Sequence, residues 1–153
     1  MYENLDFSKD RDYKKVKKGF FRKLKWLRKN GCRAGWFFFS GGFLGLDGIY
    51  ELRKQNYLSS FRRGVEGLRR LVKAKEMVPN LHDVNLGLGL FHVWLGIFRS
   101  KLPFLYMVRD TKEEGLRELE LAYRKALFAS SPAGLALVEA RAYLGRWKEA
   151  LEL

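Results

Sequence analysis

Apolar residues recur along this chain at helical spacing almost from its start. Tyr13, Val16, Phe20, Leu24 and Leu27 follow one another at intervals of three, four, four and three. At about 3.6 residues per turn they share one stripe of a helix. Ser8, Asp10 or Asp12 caps its start, and Asn30-Gly31 closes it, glycine supplying a left-handed cap. A second helix is expected from Arg33 to Lys54, opening on Trp36-Phe37-Phe38-Phe39 and passing Gly41, Gly42, Gly45 and Gly48. Glycine costs roughly 1 kcal/mol in a helix interior relative to alanine, so this density predicts close approach by a neighbouring helix. Asp47 in that apolar run requires a polar partner, an arginine being suitable, and a structural role.

Gln55-Asn56 breaks the pattern. A third helix is predicted over Tyr57–Met77, presenting Leu58, Phe61, Val65, Leu68, Leu71 and Val72, and Pro79-Asn80 ends it. A fourth starts near His82-Asp83 and runs to Phe98. It is apolar all round, so two neighbours should bury it. Arg99–Arg109 interrupts the pattern with Pro103 and a run of apolar residues, which pack as local core or form an exposed contact patch. Asp110-Thr-Lys-Glu-Glu opens a fifth helix, expected to reach Phe128. Ser130-Ser131-Pro132 starts a sixth, running to Leu144. Gly145-Arg146 turns the chain into a seventh, beginning at Trp147.

The pattern also repeats. Gly67-Leu-Arg-Arg-Leu-Val-Lys-Ala74 returns 48 residues later as Gly115-Leu-Arg-Glu-Leu-Glu-Leu-Ala122. The same offset pairs Gly41 with Gly89, Phe43 with Phe91, Gly48 with Gly96, Ile49 with Ile97 and Glu66 with Glu114. Periods of roughly 20–50 residues mark stacked helical arrays. The fold class that follows is all-α, with antiparallel helix hairpins stacked in series and about seven helices. The chain then reads as one domain over 1–153. A basic amphipathic helix occupies 8–30, a first repeat 33–79, a second 82–128 and a partial third 131–153.

These residues resemble the tetratricopeptide-repeat superfamily. Gly145-Arg-Trp-Lys-Glu-Ala-Leu-Glu is similar to the family's turn and second-helix opening, with Ala150 at its small position. Gly67, Leu71, Ala74 and Pro79 match the small, large, alanine and closing-proline positions of a second helix, and Gly115, Leu119 and Ala122 match again. Pro79-Asn-Leu-His-Asp-Val-Asn-Leu-Gly-Leu-Gly-Leu-Phe looks like the bacterial proteins of this type with extended repeats. The resemblance covers roughly Arg33 to Leu153 and is carried mainly by the second helices. It implies an α-solenoid that acts as a non-enzymatic scaffold for protein–protein interaction. A protein or peptide ligand would lie on a concave face lined by first helices, where Trp36, Tyr50, Arg53, Trp94 and Arg99 would fall. After Ala150 the repeat calls for a large residue at 154 and a small one at 157. The expectation is therefore a fragment of a longer repeat protein, or a last helix that uses a partner as its cap.

Composition narrows the picture. A chain of 153 residues with 47% hydrophobic and 15% aromatic content can bury a core and is not expected to be disordered. Cys32 is the lone cysteine, so no internal disulfide forms; it reads as a small half-buried filler. Residues 1–7 show no basic region followed by an apolar run, so the default compartment is cytoplasmic, with export the alternative if a leader precedes Met1. The apolar runs Gly35–Tyr50 and Leu86–Phe98 are shorter than the roughly 20 residues of a membrane span.

Net charge is +13 and unevenly spread. Residues 9–33 hold twelve Lys/Arg against two Asp, whereas 110–153 hold seven basic residues against eight acidic ones. Such asymmetry points to an acidic partner, nucleic acid or anionic lipid. Lys14, Lys18 and Lys25, on the helix spanning 12–29, are the candidate anion-binding residues. The competing reading is a solvated face whose long stems cover apolar surface. Phe20, Phe21 and Trp26 would stack on bases in the nucleic-acid reading and sit in the core otherwise.

No catalytic constellation emerges, and no cofactor, metal or small-molecule substrate is implied. His82 and His92 are ten residues apart and off any shared helical face. His92 reads as a satisfied core histidine and His82 as a polar residue at a helix start. Glu113-Glu114 and Glu118–Glu120 read as solvated faces. Gly87-Leu-Gly89 lacks the strand-to-helix context of a phosphate loop.

Overall fold

A computed structural model describes residues 10–99, 107 and 109–152. All regular structure among them is α-helical: α1 Asp10–Lys29, α2 Arg33–Arg53, α3 Tyr57–Met77, α4 Val84–Phe98, α5 Lys112–Lys125, α6 Ser130–Tyr143 and α7 Trp147–Leu151. The all-α class and the seven helices agree with the sequence pattern. Ser8 and most of the predicted apolar insertion lie outside the described residues. Gly31 and Gly145 take the left-handed conformation, each with φ of 77°, so both helix stops fall where glycine predicted them. Gln55 adopts φ of 62° between α2 and α3, an uncommon conformation for a residue with a Cβ. None of the described helices is long and apolar enough to cross a membrane.

The chain divides into two compact units within α3, one extending to Arg70 and the other starting at Leu71. In the first unit α1 runs antiparallel to α2. Tyr13 stacks on Tyr50 with ring centroids 4.0 Å apart, Phe20 stacks on Phe43 at 4.5 Å, and the Arg28 guanidinium lies 6.0 Å from the Trp36 ring. Leu24 is buried between these contacts. Val16, expected on the same stripe, sits at its edge and faces solvent. The glycines of α2 do let a neighbour approach. A Cβ on Gly67 of α3 would lie 2.9 Å from the carbonyl oxygen of Gly41, and one on Gly48 would lie 3.1 Å from that of Ser60. Numbers rise along α2 as they fall along α3, so this pair too is antiparallel.

In the second unit α4 and α5 form the same kind of hairpin. A Cβ on Gly115 would lie 2.7 Å from the carbonyl oxygen of Gly89 and 2.6 Å from the nitrogen of Val93. The 48-residue offset is therefore a repeat of contacts: Gly41 with Gly67 returns as Gly89 with Gly115. Val93, Ile97, Leu116, Leu119, Leu137 and Ala140 join α4, α5 and α6 in one core. Leu71 is 4% exposed and Leu119 0%, which places the repeated leucines inside, as stacked hairpins require.

Several expectations are corrected. Leu58 and Val72 of α3 face solvent, and Cys32 is exposed rather than half-buried. The fifth helix stops at Lys125, not Phe128. Asp83 captures the backbone amides of Leu127, Phe128 and Ala129, drawing that segment away from further helical turns.

Candidate interaction surfaces

Asp47 fixes how α1 is presented. Its fully buried carboxylate accepts hydrogen bonds from the Tyr13 hydroxyl at 2.6 Å, from Lys17 Nζ at 2.6 Å and from Arg63 of α3. The arginine expected for Asp47 is present, joined by two partners from α1. Burial alone would raise the Asp47 carboxyl, but bonds from Lys17 and Tyr13 and the nearby charges of Lys17 and Arg63 hold it below its usual range. Burial first, and then the bond to Asp47, push the Tyr13 phenol well above its ordinary value.

With Tyr13 and Lys17 turned toward Asp47, the opposite side of α1 faces solvent. Lys14, Lys18 and Lys25 are exposed on the flank of α1, roughly 60–140° around the axis from Tyr13 and Lys17 and within about 40° of one another at 100° per residue. Lys15, Lys18, Arg22, Lys23, Lys25 and Lys29 are exposed without a carboxylate partner among the described residues. Trp26 is 64% exposed in their midst, about 20° from Lys15 and 40° from Arg22 around the helix. Phe20 and Phe21 pack on Phe43 instead, so Trp26 alone of the three aromatics is free to meet a ligand.

Of the five residues expected on a partner-binding face, Trp36, Tyr50 and Arg53 belong to the first unit and Trp94 and Arg99 to the second. Trp36 lies half-buried in α2 between Arg28 and Arg70, whose guanidinium is 5.0 Å from its ring. Tyr50, fourteen positions further along α2, is covered by Tyr13 and approached by Lys54 Nζ at 5.1 Å. Arg53 is exposed at the end of α2. In the second unit Trp94 stacks on Phe98 and meets the edge of Tyr143, and Arg99 follows α4 half-buried. Within the first unit, Trp36 and Tyr50 are separated by about 21 Å of helix at 1.5 Å per residue. They do not form one pocket.

A different surface is apolar. α6 buries Ala133, Leu137 and Ala140 on one side, yet its other side carries Leu135, 74% exposed, together with Val138 and Ala142. Trp147 and Leu151 of α7 are exposed four residues apart, Leu151 at 87%. Sequence reading placed no site here, although the spacing of Leu135, Val138 and Ala142 by three and four was visible.

Sequence reading also missed the surroundings of His92. Its Nδ1 lies 2.6 Å from Glu118 Oε2, so Glu118 is a half-buried partner rather than part of a solvated face. The bond to Glu118 raises the His92 pKa above its ordinary 6.5, opposed by burial. Glu114, one turn earlier on α5, completes a His/Glu/Glu cluster and accepts a bond from Arg109 at 2.5 Å. Comparison with family models, with curated proteins and with solved structures finds no match for this chain.

Proposed function

We propose that this chain is a non-enzymatic helical-repeat scaffold that holds protein partners, as its resemblance to tetratricopeptide-like repeats implies. One observation carries the reading: α6 is apolar on both sides. Its inner side is packed by helices of the same unit, and its outer side offers Leu135 and Val138 to solvent, with Ala142 half-buried beside them. Within the second unit α4, α5 and α6 bury one another's apolar sides, so the occupant that fits the outer side is another helix with apolar residues at intervals of three and four. Trp147 and Leu151 extend the same apolar chemistry onto α7. Aromatic anchors such as Trp147 dominate the energy of many protein interfaces, and apolar residues at helical spacing seat one helix on another.

The test uses a labelled amphipathic peptide with leucines at that spacing, measured by fluorescence anisotropy. Binding should be saturable and should disappear in the double variant Leu135→Lys with Leu151→Lys. Both side chains are solvent-exposed, so the variant should keep its thermal stability. Equal binding by wild type and variant would overturn the reading.

A second reading has its own observation, the exposure of Trp26 amid the cations of α1. It makes α1 a basic module for nucleic acid or an anionic membrane surface. Phosphate contacts would make affinity fall steeply with salt, and an anionic bilayer would retain the protein where a neutral one does not. Changing Lys14, Lys18 and Lys25 to Glu should abolish binding to mixed RNA and DNA and to acidic vesicles while sparing the amphipathic peptide.

A further inference from the structure

We infer that His92, Glu114 and Glu118 form a binding site for a divalent transition-metal ion, with zinc as its representative. Their ligand atoms all lie within 4.8 Å of one another. An ion held at about 2.0–2.2 Å from each donor separates those donors by up to about 4.4 Å. The side chains therefore need only small shifts to enclose one. Imidazole nitrogen with two carboxylates suits zinc and its neighbours in the first transition row, and three protein ligands leave positions for water.

The placement is built by the hairpin. Glu114 and Glu118 are four apart on α5 and share its face, and the antiparallel packing of α4 through Gly89 and Gly115 brings His92 opposite them. His92 and Glu118 are each 17% exposed, dry enough to strengthen coordination and open enough to admit an ion. Thr111 donates a hydrogen bond to the His92 carbonyl oxygen at 2.7 Å, tying the segment before α5 to α4 at this level. Arg109, which now engages Glu114, is 79% exposed and can retire to water as the ion enters.

An independent observation comes from the internal repeat. Forty-eight positions earlier the equivalents are Leu44, Glu66 and Arg70. There Leu44 is buried in the core and Arg70 forms an ion pair with Glu66. The glutamate at the middle position is common to both repeats. The other two positions depart together, leucine to histidine and arginine to glutamate, and the two departures meet in space. What the first repeat uses as an apolar and cationic contact becomes a ligand set in the second.

The test is a calorimetric titration of the whole chain with zinc chloride. It is run in a Cys32→Ser background, so that the exposed thiol does not bind the ion. One ion per chain should bind with release of protons, because the imidazole must be neutral to ligate, and zinc should raise the thermal midpoint. Affinity should fall by about tenfold or more in H92L and in E118Q, and the double variant H92L/E118R should not bind. That double variant carries the residues that the first repeat accommodates, so it keeps the fold testable. In NMR spectra the ring resonances of His92 should move on zinc addition while those of His82 stay in place. Absence of zinc binding by the parent, or zinc binding unchanged in H92L and E118Q, would overturn the site.

Discussion

Asp83 Oδ1 lies 2.8 Å from the backbone nitrogen of Ala129, reaching from the start of α4 to the start of α6. The same carboxylate accepts from Phe128 at 2.8 Å and, through its other oxygen, from Leu127 at 3.2 Å. Three consecutive amides that precede α6 are thus satisfied by one buried side chain. Burial pushes the Asp83 carboxyl up, but these three donors more than offset it and hold it below 3.8. Replacing Asp83 by Ala strands the Ala129 amide in a buried position, at a cost of about 2–3 kcal/mol. Because the folded pKa is depressed, the contribution is fully present above pH 3.8 and is lost as pH falls through the folded value. Urea unfolding of wild type and D83N should therefore show a stability gap that is constant from neutral pH down to about 4 and closes below it.

The Gly89–Gly115 approach sets a second expectation. Alanine is favoured over glycine in a helix by about 1 kcal/mol, yet Gly115→Ala would put a methyl against the backbone of Gly89 and Val93. Backbone cannot rotate away as a side chain does, so α4 and α5 must separate. We expect G115A to lower the thermal midpoint by several degrees, in keeping with a loss of about 2 kcal/mol or more. Gly42 of α2 is exposed with nothing within 4 Å of its Cβ position. G42A should raise the midpoint slightly, by the roughly 0.5–1 kcal/mol of helix propensity. Thermal scans of the two variants give opposite signs if glycine serves close packing at one position and not at the other.

Much of the fold was legible because its signals are local. The spacing of Tyr13, Phe20 and Leu24 marks a helix, and the shared offset of Gly41/Gly89 and Gly67/Gly115 marks two hairpins of one design. What was not legible depends on residues that meet only after folding. Asp47 announced the need for a partner, but Tyr13 and Lys17 stand 34 and 30 positions away with nothing local to select them. Nothing between Lys125 and Phe128 marks an end to α5; the carboxylate that takes the amides of Leu127, Phe128 and Ala129 belongs to Asp83, 44 to 46 positions away. His92 and Glu118 are 26 residues apart. Their signal lay in the departures from Leu44 and Arg70 rather than in any motif. The covering of Tyr50 by Tyr13 and of Trp36 by Arg28 was hidden because a resemblance marks positions within a repeat and not what α1 covers.

Asp47 is expected to control the seating of α1. Tyr13 and Lys17 hold it from that helix, and Arg63 joins from α3. Lys17 and Arg63 are each about a third exposed, so both reach water when the carboxylate is removed. The loss in Asp47→Ala should accordingly be moderate, about 1–3 kcal/mol. It should be local first, because two of the three bonds to this carboxylate come from α1 itself. Hydrogen exchange should accelerate across residues 13–27 in D47A before it changes in α5 and α6. Tyr13→Phe, which removes one donor and keeps the stack on Tyr50, should cost about 1 kcal/mol and leave exchange in α1 close to wild type.

His92 and Glu118 make stability depend on pH in the opposite direction to Asp83. The bond to Glu118 raises the folded pKa of His92 above the ordinary 6.5, against the pull of burial. A raised folded value means that the imidazolium–carboxylate pair contributes fully below pH 6.5 and is lost as pH rises through the folded value. The groups facing the ring include Glu118 and Glu114 from α5 and the Arg109 guanidinium, the last acting against protonation. With a chelator present to exclude metal ions, wild type should lose about 1 kcal/mol of stability between pH 6 and pH 9 relative to H92L/E118R. In that double variant the introduced leucine would fill the place that Leu44 fills in the first repeat, and the introduced arginine would pair with Glu114 as Arg70 pairs with Glu66. Its stability should be flat over the same range. A parallel decline in both proteins would mean that the pair contributes nothing and that another group titrates.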